Sequence, residues 1–99
     1  MQSTLQNRRT GRIRIAYRLL CRWEAGDSYA NLVLSTHELD TLSRQEKARV
    51  TALFYTAVEH KITYDYLIGA LSARSPESLD PSVRNLLRLG LAQILDLSK

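Results

Sequence analysis

The sequence contains few of the residues from which small catalytic and metal sites are usually built. Its 99 residues include one cysteine, Cys21, and two histidines, His37 and His60. A single cysteine excludes an intrachain disulfide, a CxxC pair and a cysteine-rich zinc cluster, and neither histidine belongs to an HExxH or HxxxH motif. The sequence contains neither of the nucleotide-binding motifs GxGxxG and GxxxxGKS/T. We therefore expect no metal, no cofactor and no catalytic activity.

Long apolar segments are lacking as well. The longest run without charged or strongly polar residues is residues 66–71, whereas a membrane span needs about 20 residues. Met1 is followed by polar and basic residues rather than by the apolar core of a secretory signal. We expect a soluble cytoplasmic protein with no membrane partner. A chain of 99 residues forms one small domain, with little space for a deep substrate cavity beside its core.

Negative charge is missing from the start of the chain. Residues 1–22 contain six arginines and no Asp or Glu, while the other residues carry eight Lys or Arg against all ten Asp and Glu. The net charge of +4 therefore originates in this segment, which favours an anionic partner. Arginine suits forked hydrogen bonds to phosphate and stacking on bases. The candidate nucleic-acid-binding residues are Arg8, Arg9, Arg12, Arg14, Arg18 and Arg22. The alternative is a solvated arm without a binding role, or a cloning remnant over residues 1–7.

The first part of the chain is predicted to be a flexible basic arm, residues 1–10, followed by a helical domain, residues 11–99. Apolar residues recur at helical spacing over residues 11–25, and Gly26 supplies a stop. The first helix is therefore expected to bury one face. At about 100° per residue, three arginines form a cationic ridge apart from that face, namely Arg14, Arg18 and Arg22.

Four further helices are predicted downstream. A short second helix covers residues 29–34. Ser43 and Glu46 have the spacing of a capping box, which predicts that the third helix begins there. The fourth helix follows Thr63, and the fifth follows Asp80. No period-2 pattern competes, so the fold class is all-α, a bundle of about five short helices. The residues central to the apolar stripes, and so the predicted core, are Trp23, Leu53, Phe54, Leu67, Leu87 and Leu91.

Four strings of the sequence, read in order after the arginine-rich start, resemble a known family. They are residues 28–34 (SYANLVL), 42–53 (LSRQEKARVTAL), 58–68 (VEHKITYDYLI) and 79–95 (LDPSVRNLLRLGLAQIL). Together they resemble the NusB-like domain, and more closely the version at the N-terminus of small-subunit ribosomal RNA cytosine-5 methyltransferases of the RsmB (Sun) type. The resemblance covers most of residues 8–95.

This resemblance implies an all-helical RNA-binding module of NusB-like architecture. In the methyltransferases the module is thought to help dock the enzyme on ribosomal RNA, whereas free-standing NusB proteins join antitermination complexes in transcription. The arginine-rich RNA-binding stretch of the family maps onto Arg8, Arg9, Arg12 and Arg14. The glycine-rich cofactor loop and active-site cysteines of the methyltransferase half are absent from this sequence, which implies a chain without activity of its own.

The sequence departs from the family pattern in its last third. Ala92 replaces an aromatic residue, and Asp96 interrupts an apolar ending. The family pattern continues into further helices after residue 95, so the bundle is expected to be incomplete, either in a truncated chain or in an abbreviated relative. The fifth apolar stripe would then be only partly covered, and an uncovered apolar patch invites self-association into a homo-oligomer. The main alternative to RNA binding is accordingly a protein interaction module.

Overall fold

The computed structural model describes residues 4–26, 29–34 and 37–97, with side chains from residue 11 onward except those of residues 31, 32, 37 and 38. All regular structure in these ranges is helical, which confirms the predicted all-α class. The elements, in chain order, are α1 Thr4–Glu24, α2 Ala30–Val33, α3 His37–Asp40, α4 Arg44–Glu59, α5 Lys61–Ser72, a 3-10 turn Pro76–Ser78, α6 Pro81–Leu91 and a π-helical turn Ala92–Asp96. Within this part of the chain, no helix is both long and apolar enough to cross a bilayer.

Four of these helices exceed a single turn, against the five predicted. The second predicted helix is reduced to the four residues of α2, and α3 is a further single turn where a loop was predicted. Helices this short gain little from backbone hydrogen bonding, because nucleation is costly. Their position depends instead on two buried side chains, Val33 and Leu39.

The first helix begins at Thr4, whereas the sequence predicted a start at residue 11 after a flexible arm. The added segment, residues 4–10, contains no proline that would prevent a helix. Gly11, which follows it, costs about 1 kcal/mol relative to alanine, and this cost is too small to end the helix. The predicted end is confirmed. Gly26 has a φ of 84°, and its N–H donates to the carbonyl of Trp23 at 3.0 Å.

The start of α4 is the capping box that the sequence predicted. The Ser43 hydroxyl oxygen accepts the N–H of Glu46 at 3.1 Å, and the Glu46 carboxylate accepts the N–H of Ser43 at 3.5 Å.

The start of α5 differs from the prediction. This helix begins at Lys61, directly after His60, so the predicted cap Thr63 lies inside it.

The core forms where α1 packs against α4 and α6. Two of the predicted core residues, Leu53 and Phe54, are buried. Three more, Trp23, Leu67 and Leu91, are half-buried. The other buried apolar residues are Ala16, Leu19, Leu20, Val33, Leu39, Val50, Ala57, Tyr64, Ile68, Leu89 and Ala92.

The sixth predicted core residue, Leu87, is 42% exposed, because α6 turns its polar face inward. Asn85 and Arg88 are buried at 0% and 1% exposure, while Val83 and Ile94 of the predicted stripe are exposed. The prediction for this helix was therefore wrong by about half a turn of rotation.

The cause lies in carboxylates on neighbouring helices. Glu24 of α1 pairs with Arg84 and Arg88, and Asp65 of α5 pairs with Arg88. Buried charges need partners of this kind, and paired arginines compete with leucines for the inner face. As a result, the apolar face of α6 is exposed to solvent.

Candidate nucleic-acid interface

The arginines predicted to bind RNA all lie on α1, and three of them keep the predicted ridge. Arg14, Arg18 and Arg22 follow one another at intervals of four residues, with Arg14 and Arg18 exposed and Arg22 half-buried. Residues at this spacing share a helix face. The backbone of Arg8 and Arg9 belongs to α1, and their side chains lie outside the described ones.

The remaining arginine, Arg12, lies apart from this ridge in a groove between α1, α4 and the π-helical turn. The groove has a volume of about 500 Å³. Each of its three walls contributes one polar side chain, Arg12 from α1, Arg49 from α4 and Gln93 from the π-helical turn. The rest of the lining is apolar, formed by Ile13, Ala52, Leu53 and Leu97. Among the described residues, no carboxylate lines the groove.

Neither guanidinium group of the groove has a partner among the described residues. Within the described ranges, neither Arg12 nor Arg49 makes a hydrogen bond or an ion pair. Gln93 donates from Nε2 to the carbonyl of Leu89 at 3.2 Å, which fixes the orientation of the amide. Its Oε1 accepts no hydrogen bond from a described residue. The groove thus holds two unneutralised cations and one oriented amide beside an apolar floor.

The arginines of α6 are different, because their charges are neutralised inside the protein. Arg88 donates from Nε and Nη2 to the two carboxylate oxygens of Asp65, each at 2.8 Å. It also donates from Nη1 to Glu24 and, at 2.8 Å, to Asn85. Arg84 donates to both oxygens of Glu24, at 2.8 and 3.1 Å. This cluster joins α1, α5 and α6.

The carboxylates of this cluster stay ionised despite their burial. Burial disfavours the charged form of Glu24, but hydrogen bonds from Arg84 and Arg88 outweigh it and lower the pKa of this carboxyl. Burial likewise opposes ionisation of Asp65, and hydrogen bonds from Arg88 and Lys61 lower its pKa below the ordinary value. The cluster is an internal set of ion pairs whose carboxylates and guanidinium groups neutralise one another.

A cavity of about 250 Å³ opens beside this cluster. Its charged lining balances, with three cations against three carboxylates, namely Lys61, Arg84 and Arg88 against Glu24, Asp65 and Glu77. A lining without net charge has no electrostatic preference for an anion. The groove at Arg12 is therefore the better candidate for contact with nucleic acid.

A third polar cluster lies where α5 meets the π-helical turn. The Tyr64 hydroxyl donates to the Asp96 carboxylate, and His60 Nε2 lies 3.9 Å from the same carboxylate. Burial, and then the hydrogen bond to Asp96, raise the pKa of the Tyr64 phenol. Asp96, which interrupts an apolar pattern in the sequence, thus accepts a hydrogen bond from a buried tyrosine. No three His, Cys, Asp or Glu side chains of the described chain gather into a metal site.

Sequence reasoning missed two of the three polar residues in the groove. Arg49 had a usable signal, because the capping box fixes the start of α4, and Arg49 precedes Leu53 of the apolar stripe by one helical turn. Gln93 had none. It follows α6 in a π-helical turn, where each residue is rotated less about the helix axis than in an α-helix. A 3.6-residue period therefore places Gln93 on the wrong face.

Comparison with known proteins places these features in a family context. The model of the NusB family matches residues 11–99. Over 83 residues the chain is 37% identical to a protein of Mycobacterium tuberculosis (strain ATCC 25618 / H37Rv) that carries the name "Putative methyltransferase Rv1407", and the match covers 83% of this chain and 18% of that protein. Over 86 residues it is 35% identical to the "Probable ribosomal RNA small subunit methyltransferase B" of Bacillus subtilis (strain 168), covering 86% of this chain and 19% of that protein. The chain thus spans less than a fifth of these relatives. No solved structure matches it.

Proposed function

Because the chain belongs to the NusB family, we propose that it is an RNA-binding domain that docks on ribosomal RNA. In this proposal it is the N-terminal module of a ribosomal RNA cytosine-5 methyltransferase, in line with the name of the Bacillus subtilis relative. Catalysis then belongs to the part of the relatives that this chain does not span. The domain itself is not an enzyme, binds no cofactor and works in the cytoplasm.

The observation that carries this proposal is a pair of guanidinium groups, Arg12 and Arg49, at one groove where the described residues supply neither group with a partner and contribute no carboxylate to the lining. Cations without internal partners favour binding of an external anion, and arginine offers phosphate a forked pair of donors. Arg8 and Arg9 precede Arg12 by four and three residues in α1, and Arg14 follows it by two. The three- and four-residue spacings place Arg8 and Arg9 on the same side of α1 as Arg12, whereas Arg14 lies on a different face.

The test is the dependence of RNA affinity on salt. Three or four phosphate contacts, drawn from Arg12 and Arg49 at the groove and from Arg8 and Arg9 in the turn of α1 before it, give single-stranded RNA a log–log slope of about −2 to −3. Fluorescence anisotropy of a labelled small-subunit ribosomal RNA fragment, titrated with the protein at several salt concentrations, measures this slope. The double variant Arg8→Gln with Arg9→Gln is expected to flatten it by about 1 to 1.5. Its helix content is expected to stay unchanged, since glutamine is a good helix former.

A matched control removes the same charge elsewhere. Arg44 and Arg74 are exposed and lie outside α1 and the groove. The double variant Arg44→Gln with Arg74→Gln is expected to keep the slope of the parent protein. Equal slopes in the two double variants would remove Arg8 and Arg9 from the RNA contact. Weak binding by the parent protein at low salt would overturn the proposed function as a whole.

The second candidate function is a protein interaction module, favoured by the exposed apolar face of α6 around Leu87. Such a module would bind a protein partner with an affinity that the arginine variants leave unchanged. A transcription antitermination factor would share the RNA-binding step, whereas a preference for small-subunit ribosomal RNA over unrelated RNA would favour the methyltransferase module. An unrelated single-stranded RNA of equal length, titrated in parallel, distinguishes these two RNA-binding roles.

A further inference from the structure

The groove between α1, α4 and the π-helical turn has a shape that phosphate contact alone does not require. A phosphate contact needs no more than an exposed cation, such as Arg14 of the ridge. The groove instead is concave, with a volume of about 500 Å³. This volume lies within the range of about 300–1,000 Å³ that is usual for sites that enclose a small organic ligand.

The lining of the groove has two chemically distinct parts. The floor is apolar, with Ile13 from α1, Ala52 and Leu53 from α4, and Leu97 after the π-helical turn. The two guanidinium groups stand on walls that belong to different helices. A groove that combines apolar side chains with two cations is complementary to a flat apolar group that carries anions beside it. A nucleobase with its flanking phosphates has this composition.

The third polar group supplies contacts to the edge of such a base. The bond from Gln93 Nε2 to the carbonyl of Leu89, at 3.2 Å, leaves the Oε1 acceptor and the second Nε2 hydrogen without a partner among the described residues. A side-chain amide with a free donor and a free acceptor pairs with the edge of a base. In an A-form duplex the bases remain stacked and their edges are poorly accessible, whereas single strands offer unstacked bases whose edges side chains can reach.

From this arrangement we infer that the groove binds one unstacked base of single-stranded RNA. The base lies against the apolar floor, Arg12 and Arg49 contact the phosphates on its two sides, and Gln93 contacts its edge. This inference rests on the proposed RNA-binding function and specifies its ligand as single-stranded and base-bearing.

The test compares three RNA probes of equal length, each titrated by fluorescence anisotropy. The first is a single strand, the second is the same strand in a duplex, and the third is a single strand with abasic nucleotides in place of the central bases. Stacking of one base on an aromatic ring changes affinity by about five- to 150-fold, and the groove offers aliphatic side chains instead. We therefore expect the single strand to bind about fivefold more tightly than the abasic strand, at the lower end of that range. The duplex is expected to bind no more tightly than the abasic strand.

Two variants of α4 assign this difference to the groove. Ala52→Gln fills the floor without changing charge, and Ala52 is exposed, so the substitution leaves the core intact. We expect it to abolish the preference for the base-bearing strand over the abasic strand. Ala48→Gln, at an exposed position outside the groove, is the matched control and is expected to retain the preference. Arg49→Gln should weaken binding of all three probes and flatten the salt slope by about 0.7.

The outcomes separate this inference from the proposed function. Binding of the single strand and the abasic strand with equal affinity would overturn the base-binding groove while leaving RNA binding intact. Identical behaviour of Ala52→Gln and Ala48→Gln would overturn the base-binding groove in the same way. Absence of binding to every probe would overturn the proposed function itself.

Discussion

Arg88 of α6 binds Asp65 of α5 through two parallel hydrogen bonds, with Nε and Nη2 each 2.8 Å from a carboxylate oxygen. The Arg88 side chain is only 2% exposed, so water does not compete for these bonds. The same guanidinium also reaches Glu24 of α1. One buried side chain thus connects three helices and sets the rotation of α6 about its axis.

The first prediction concerns this buried arginine. Replacement of Arg88 by leucine leaves Asp65 and Glu24 with fewer partners in a buried site, and we expect the free energy of unfolding to fall by about 3 to 5 kcal/mol. Urea denaturation followed by circular dichroism measures the loss. Arg74→Ala, at an exposed position, is the control and should change stability by no more than about 0.5 kcal/mol. A loss of less than about 1 kcal/mol in Arg88→Leu would contradict the role assigned to the cluster.

The second prediction is loss of stability in acid. Glu24 and Asp65 have pKa values lowered in the folded state, whereas the unfolded chain titrates near the ordinary values of about 4.3 and 3.9. Between the lowered and the ordinary pKa the unfolded state binds more protons, so stability falls as pH falls through this window. Urea midpoints measured from pH 6 down to pH 3 should therefore decrease below about pH 5. Glu24→Gln should make the decrease shallower, and Glu59→Gln, at an exposed carboxylate, should not.

How far the sequence could predict this fold depends on what determines each element. The start of α4 was predictable because the bonds of Ser43 and Glu46 are local. The burial of Phe54 was predictable because it sits at the centre of an unambiguous apolar stripe. The rotation of α6 was not, since it depends on Glu24 and Asp65, which lie far from Arg88 in sequence. The spacing of apolar residues reflects hydropathy alone. It therefore cannot predict that arginines will be buried because they pair with carboxylates distant in sequence.

The candidate site was predictable to a similar extent. The excess of arginine near the N-terminus identified α1, because charge counts need no structure. The separation of Arg12 from the Arg14 ridge follows from their two-residue spacing, which places them on different faces of one helix. The meeting of Arg12 with Arg49 and Gln93 required knowledge of how α4 and the π-helical turn pack on α1.

The third prediction contrasts a buried and an exposed apolar side chain. Phe54 is completely buried, so Phe54→Ala removes a large apolar group from the core and is expected to cost about 3 to 5 kcal/mol. Leu87 is 42% exposed, and Leu87→Ala should cost less than about 1 kcal/mol. Urea denaturation of both variants at one pH makes the comparison. Equal losses would show that the apolar face of α6 is covered in solution.

The fourth prediction is self-association through an apolar patch on α5 and α6. The patch consists of large side chains that are 42% to 80% exposed, namely Leu71, Val83, Leu86, Leu87 and Ile94. A cleft of about 180 Å³ runs between the two helices, lined by Ile68, Leu71, Ser72, Leu87 and Leu91. Exposed apolar surface of this kind is costly in water and favours association. We expect sedimentation velocity to show dimers or larger species that increase with protein concentration.

Two charge substitutions test whether this patch is the contact. Leu87→Glu places a carboxylate in the patch, and burying it in an interface would be costly, so we expect this variant to remain monomeric at concentrations where the parent protein associates. Ile62→Glu is the matched control, because Ile62 is 84% exposed on α5 and its nine-residue offset from Leu71 places it on the opposite face of that helix. This control should associate like the parent protein. Association that survives Leu87→Glu but disappears in Ile62→Glu would assign the contact to the other face of α5. A parent protein that stays monomeric at every concentration would show that the exposed leucines of α6 remain in contact with water.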